Sequence, residues 1–156
     1  MVKALKPRSK KGKQLAITDC DEARQVLIAA ESSGASPDTK LAFRFLALTQ
    51  SRPGMVRGAQ WDEFEGIDWK GNSFGPFQPI WRIPAQRMKL VINLKDEEHF
   101  EHIVPLCWQA VDALRAVRRL TGRGSLVFPG QRHAHLPISE NAIGYLYNRV
   151  GCFGYH

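Results

Sequence analysis

The stretch that constrains this chain most is Leu41 to Trp61, LAFRFLALTQSRPGMVRGAQW. Leu41, Ala42, Phe43, Phe45, Leu46 and Leu48 are apolar almost all the way round a helix, with Arg44 interrupting. A helix of that kind belongs in the middle of a bundle rather than on its surface. Ser36-Pro37 opens it suitably, with a hydroxyl at the N-cap and proline at the first helical position. It runs into Ser51-Arg52-Pro53-Gly54, and proline disfavours helical geometry at the residue before it. Arg52 is therefore presented from a sharp break between two helices. An arginine so placed can cap the first helix or pair with a surface carboxylate. It can also grip a phosphodiester, because its planar fork of donors matches phosphate oxygens.

The other elements follow from periodicity and punctuation. Thr18 is the expected N-cap of a first helix, with Asp19, Asp21 and Glu22 favourably placed against its dipole. Ala23, Val26, Leu27 and Ala30 recur at helical spacing and form its buried stripe. Beyond Arg52 a short helix is expected from Pro53 or Gly54 to Arg57, ending at Gly58. Residues 61–106 read as a small antiparallel sheet, with strands at Trp81-Arg82-Ile83, Leu90-Val91-Ile92 and Ile103-Val104. Cys107, Ala110, Val111, Leu114 and Val117 line the next helix, whose outer face carries Arg115, Arg118 and Arg119. Leu126-Val127-Phe128 is a short buried run. Ser139 then caps a last helix with Ile143, Leu146, Tyr147 and Val150 on its core face, and Gly151 terminates it. The fold class is α+β, mostly helical with a small three-stranded antiparallel sheet.

Charge separates the chain into two parts. The net charge is +7, and six of the 22 basic residues (Lys3, Lys6, Arg8, Lys10, Lys11 and Lys13) fall within residues 1–13, which hold no acidic residue. That leaves sixteen basic against fifteen acidic residues, so the body is close to neutral. Residues 1–14 are a basic linker or arm, either a solvated terminus or a nucleic-acid contact. Residues 15–156 are one domain with room for a real core. No apolar run approaches a membrane span and no apolar segment follows the basic N-terminus as in a secretory signal. Cys20, Cys107 and Cys152 have no paired spacing, which argues for a reducing, cytoplasmic setting and against a zinc site. Glu98, His99, Glu101 and His102, or His133 with His135, match no ligand spacing of a named geometry, and no metal is expected.

The run T-Q-S-R-P-G-M-V-R-G-A-Q-W-D-E-F resembles the first catalytic-arginine box of the tyrosine recombinases, especially the phage and prophage integrases. Trp81-Arg82-Ile83-Pro84 with Arg87-Met88-Lys89, then His102-Ile103-Val104-Pro105-Leu106, resemble the next two landmarks of that family in the right order. The similarity covers about residue 15 to the last residue, and implies the first part of a recombinase catalytic domain.

The resemblance implies that Arg52 is a ligand of the scissile phosphate, stabilising charge in the transition state. It implies that Lys89 is the hairpin lysine that serves as general acid to the leaving 5′ oxygen. Lys95 is a rival for that role, because His102 comes thirteen positions after Lys89 where relatives have a tight hairpin. Relatives carry a carboxylate three residues after the first arginine, and here that position is Met55. A thioether cannot orient a guanidinium, so support is expected from Asp62 or Glu63 or is missing. The complete family enzyme breaks and rejoins double-stranded DNA through a 3′-phosphotyrosine, with no metal or nucleotide cofactor and with other protomers as possible partners. The family's His-x-x-Arg box does not occur in this sequence, and Tyr145, Tyr147 and Tyr155 precede the position of its nucleophile. The chain by itself is expected to bind DNA and to be inactive. Two alternatives are a DNA-binding module that never recombined DNA and a remnant that interacts with an intact integrase.

Overall fold

The computed structural model describes residues 17–71, 77–88 and 100–151. Lys89, Lys95, the Leu90-Val91-Ile92 strand, the six basic residues of the arm and Tyr155 lie outside the described residues.

The central helix, α2, spans Pro37–Thr49 and packs against four others: α1 (Cys20–Ser32), α3 (Pro53–Arg57), α4 (Trp108–Thr121) and α5 (Ala142–Arg149). This central position is what its nearly all-round apolar surface requires. Phe43 and Phe45 are buried, and Arg44 points outward to an ion pair with Glu31 at 2.8 Å. Phe45 joins the helices to the sheet. Its ring lies 5.3 Å from Trp81, 6.0 Å from Phe64 and 6.1 Å from Phe128.

The sheet has the order β1 (Phe64–Glu65), β2 (Ile80–Ile83), β3 (His102–Pro105), antiparallel throughout. Phe64 pairs with Trp81 and Trp81 with Val104, so one face presents these three to the core. Trp81 is fully buried, stacked on Phe64 at 5.6 Å. β1 differs from expectation: no strand is expected at Phe64, yet Phe64–Glu65 pairs with β2 over two residues. Two residues leave no alternation for sequence periodicity to register.

Capping also differs at three places. α1 is capped by Asp19 rather than Thr18, its carboxylate accepting from the Glu22 N–H at 2.8 Å. Ser36 is the N-cap of α2, but its hydroxyl meets Thr39 Oγ1 at 2.9 Å instead of a backbone N–H. α5 starts after Asn141, two residues beyond the helix start expected from Ser139. Residues near a helix start compete for the same orphan N–H groups, and local sequence does not rank them. Two apolar positions also lie outside the core. Ala23 is exposed, and Cys107 is the exposed N-cap of α4.

Arg115 and Arg118 do not stand free on the outer face of α4. Arg115 donates to the Asp68 carbonyl from Nε at 3.1 Å and from Nη2 at 2.8 Å. The Arg118 guanidinium lies 4.1 Å from the Trp69 ring centre and 5.2 Å from that of Trp61. Both cations hold the 61–71 segment against the helix.

Candidate functional site

Arg52 sits where the chain leaves α2 and begins α3. Gln50 ends α2 in the left-handed region at φ 50°, its N–H donating to the Leu46 carbonyl at 2.8 Å. No other non-glycine among the described residues has positive φ. A left-handed residue costs on the order of 1 kcal/mol, and here it turns the chain sharply outward. Arg52 then takes φ −70° and ψ 141°, the extended geometry its following proline imposes, and is the N-cap of α3. Its carbonyl accepts from Met55 N at 2.9 Å and Val56 N at 3.2 Å, closing the first turn.

The Arg52 side chain is exposed, and among the described residues it neither caps α2 nor meets a carboxylate. It lines an open concavity of about 450 Å³ with Gly54, Met55 and Arg87. A larger concavity, about 530 Å³, lies between the start of α2, residues 130–139 and α5, and neither arginine lines it. What sets the smaller concavity apart is not its size but the exposed Arg52 on its edge.

Arg87 follows β2 in a 3-10 turn (Ala85–Arg87), and both its terminal nitrogens are already engaged. Nη1 donates to Glu63 Oε1 and Nη2 to the Met55 carbonyl. Glu63 is the one buried charged residue among the described residues. Its other oxygen accepts from Trp81 Nε1 at 2.9 Å and from the Gln60 N–H at 3.3 Å. This carboxylate therefore serves Arg87, not Arg52. Support for Arg52 through a direct bond from Asp62 or Glu63 is absent among the described residues. Asp62 lines a neighbouring concavity with Arg82 and Gln86. Arg87 lies in the Arg87-Met88-Lys89 stretch that resembles a family landmark, and the resemblance assigns it no role. The available signal was Glu63, a carboxylate set directly before the apolar Phe64 that needs a cation once buried.

Arg57 is tied down as well, its Nε donating to the Ile138 carbonyl at 2.9 Å. Arg82 donates to Glu65 at 2.6 Å and to Glu101 at 3.1 Å. These contacts hold the Glu65 carboxyl below the usual carboxylate range and push the Arg82 guanidinium further up. His102 is exposed on β3. Tyr147 is edge-on to Phe43 at 5.0 Å, and Tyr145 is exposed at the surface. Among the described residues no group of three His, Cys, Asp or Glu side chains is gathered for a metal, and no helix is long and apolar enough to cross a membrane.

No family model and no solved structure matches the chain. Curated proteins do. The chain is 33% identical to the integrase of Enterobacteria phage P4 over 119 residues, which is 72% of this chain and 24% of the phage protein. It is 27% identical to the prophage integrase IntA of Escherichia coli K12 over 134 residues, 86% of this chain and 28% of that protein. A third relative, the putative protein IntB of the same strain, is 28% identical over 123 residues, 76% of this chain and 28% of IntB. The chain thus spans about a quarter of the length of the curated relatives it matches. Over that span the similarity takes in most of the chain, and the chain belongs to the phage integrase family.

Proposed function

We propose that these residues form a DNA-binding part of a phage-type integrase, the first portion of its catalytic domain, in which Arg52 grips a backbone phosphate. One observation carries the reading. In a chain of this family, the arginine at the helix break is exposed, without an acidic partner among the described residues, and borders a concavity shared with a second arginine. A guanidinium in that state presents its donors to a phosphodiester and offsets charge as it builds on the phosphoryl oxygens. Lys89, with Lys95 as its rival, is assigned the proton to the leaving oxygen, on the resemblance alone. The basic arm supplies non-specific attraction to duplex DNA in the cytoplasm, and the parent reaction needs no metal or nucleotide cofactor.

No nucleophile is assigned, since the His-x-x-Arg box is not in this sequence. A suicide substrate carrying an integrase crossover site should yield no covalent adduct. A denaturation-resistant adduct at Tyr145 or Tyr147 would overturn that assignment.

The reading is tested by binding of a labelled duplex across a salt series. Full engagement of the six arm residues would give a slope of log K against log salt of about −5, and roughly half of that is expected. Deleting residues 1–13 should flatten it. Arg52→Ala should lower affinity about tenfold and reduce the slope by about 1. Wild-type binding by Arg52→Ala would refute the phosphate reading.

A second reading, contact with an intact integrase, is favoured by Leu136 and Tyr145, both about half exposed beside the larger concavity. Co-elution with a full-length relative that survives loss of DNA binding would support it.

A further inference from the structure

We infer that Arg87 is a positioning residue for Arg52, locking the turn that presents it. This rests on the reading of Arg52 as a phosphate ligand.

The links are continuous. The Arg52 carbonyl is bonded to Met55 N and Val56 N, so the first turn of α3 moves with Arg52. The Met55 carbonyl belongs to the last turn of a five-residue helix, and the Arg87 Nη2 donates to it. The same guanidinium donates to Glu63, whose other oxygen is held by Trp81 at the centre of the sheet and by the Gln60 N–H. Residues 59–61 are pinned in turn, Val127 N donating to the Ala59 carbonyl at 2.9 Å and Trp61 N to the Ser125 carbonyl at 2.9 Å. One planar fork thus couples the arginine-bearing turn to the most buried tryptophan. A long helix would hold Arg52 by its own ladder; α3 is too short to do so. The contact at Met55 is independent of its side chain. With no carboxylate at that position, the contact made there is through its backbone carbonyl. Arg87 further has Gly58 against it: a Cβ added there would lie 3.1 Å from Nη2. Gly58 itself has φ −90°, which any residue adopts.

Lysine at position 87 keeps the charge but cannot bridge a carboxylate and a carbonyl with one rigid plane. Duplex binding and thermal unfolding are measured for Arg52→Ala, Arg87→Lys, the double variant and Gly58→Ala. Expected is a several-fold loss of affinity for Arg87→Lys in a protein that still unfolds cooperatively, and no further loss when it is added to Arg52→Ala. Gly58→Ala, which displaces the fork without removing a charge, should lose affinity in the same direction, and it decides the matter if Arg87→Lys does not fold. Unchanged affinity in a folded variant makes Arg87 merely structural and overturns the inference. Losses that add to those of Arg52→Ala make Arg87 an independent phosphate contact and overturn it equally. Wild-type affinity of Arg52→Ala removes the phosphate reading, and this inference falls with it.

Discussion

At the break between α2 and α3, Arg52 stands without a carboxylate among the described residues. On the outer face of the sheet, Arg82 is held by two, Glu65 at 2.6 Å and Glu101 at 3.1 Å. The two side chains carry the same charge and differ in their backbone settings. Arg82 lies mid-strand, where register brings Glu65 from β1 and Glu101, just before β3, to the same face. Arg52 lies at a helix end beside glycine and methionine, where no neighbouring strand delivers an acid. Of the two carboxylates that next follow Arg52 in the chain, Asp62 and Glu63, the buried one, Glu63, is taken by Arg87. A buried pair thus keeps the exposed arginine's acidic competitor occupied. An arginine is left without an acidic partner when the fold places a nearby carboxylate on another cation.

The largest expected effect breaks the comparison from beneath. Glu63→Ala strips the buried partner from Arg87 and should cost about 3 kcal/mol, as removing one half of a buried pair does. Chemical denaturation reads this directly. A change below about 1 kcal/mol would mean the pair does not underpin the turn that carries Arg52.

Arg52→Ala comes next, and separates binding from stability. Its unfolding free energy should stay within about 0.5 kcal/mol of wild type, because no side-chain hydrogen bond or ion pair among the described residues is lost. Its DNA affinity should still fall about tenfold. A variant destabilised well beyond that range would show that Arg52 has a structural partner.

Arg82→Ala should do the converse. A slight loss of stability, erased by high salt, is expected, with DNA affinity as before. Loss of DNA binding without loss of stability would collapse the distinction between the two arginines.

The smallest effect is acid dependence. The folded Glu65 carboxyl titrates below its ordinary value of 4.5, so its contribution is fully present above that pH and lost as pH falls through the folded value. Asp68, held by the Gly71 and Lys70 N–H groups and titrating below its ordinary 3.8, acts in the same sense at lower pH. Acid unfolding of Arg82→Ala should therefore show less of the Glu65 component than wild type, while Arg52→Ala should follow wild type. An Arg52→Ala curve that shifts with acid would reveal a carboxylate near Arg52.

Much of the scaffold was legible along the chain. The all-round apolar α2, the proline break at Arg52, the short α3 closed by Gly58, the buried Leu126 to Phe128 and the glycine stop at Gly151 all have short-range causes: helical periodicity, the ring of Pro53, a glycine at φ 89°. The motifs around Arg52 also indicated the family. Local sequence could not supply partners. Glu63 and Arg87 are 24 positions apart, and their meeting depends on how β2 registers against Phe64 and on the turn after Ile83. The two-residue β1 exists only because β2 pairs with it. Arg118 lies on the outer face of its helix, yet it is claimed by two tryptophans that the chain brings back from residues 61 and 69. Sequence alone determined where the backbone is helical, where it breaks and which arginine stands at the break. Only the tertiary structure decided which cations are already paired, because an ion pair depends on distances of a few ångströms that long-range packing sets.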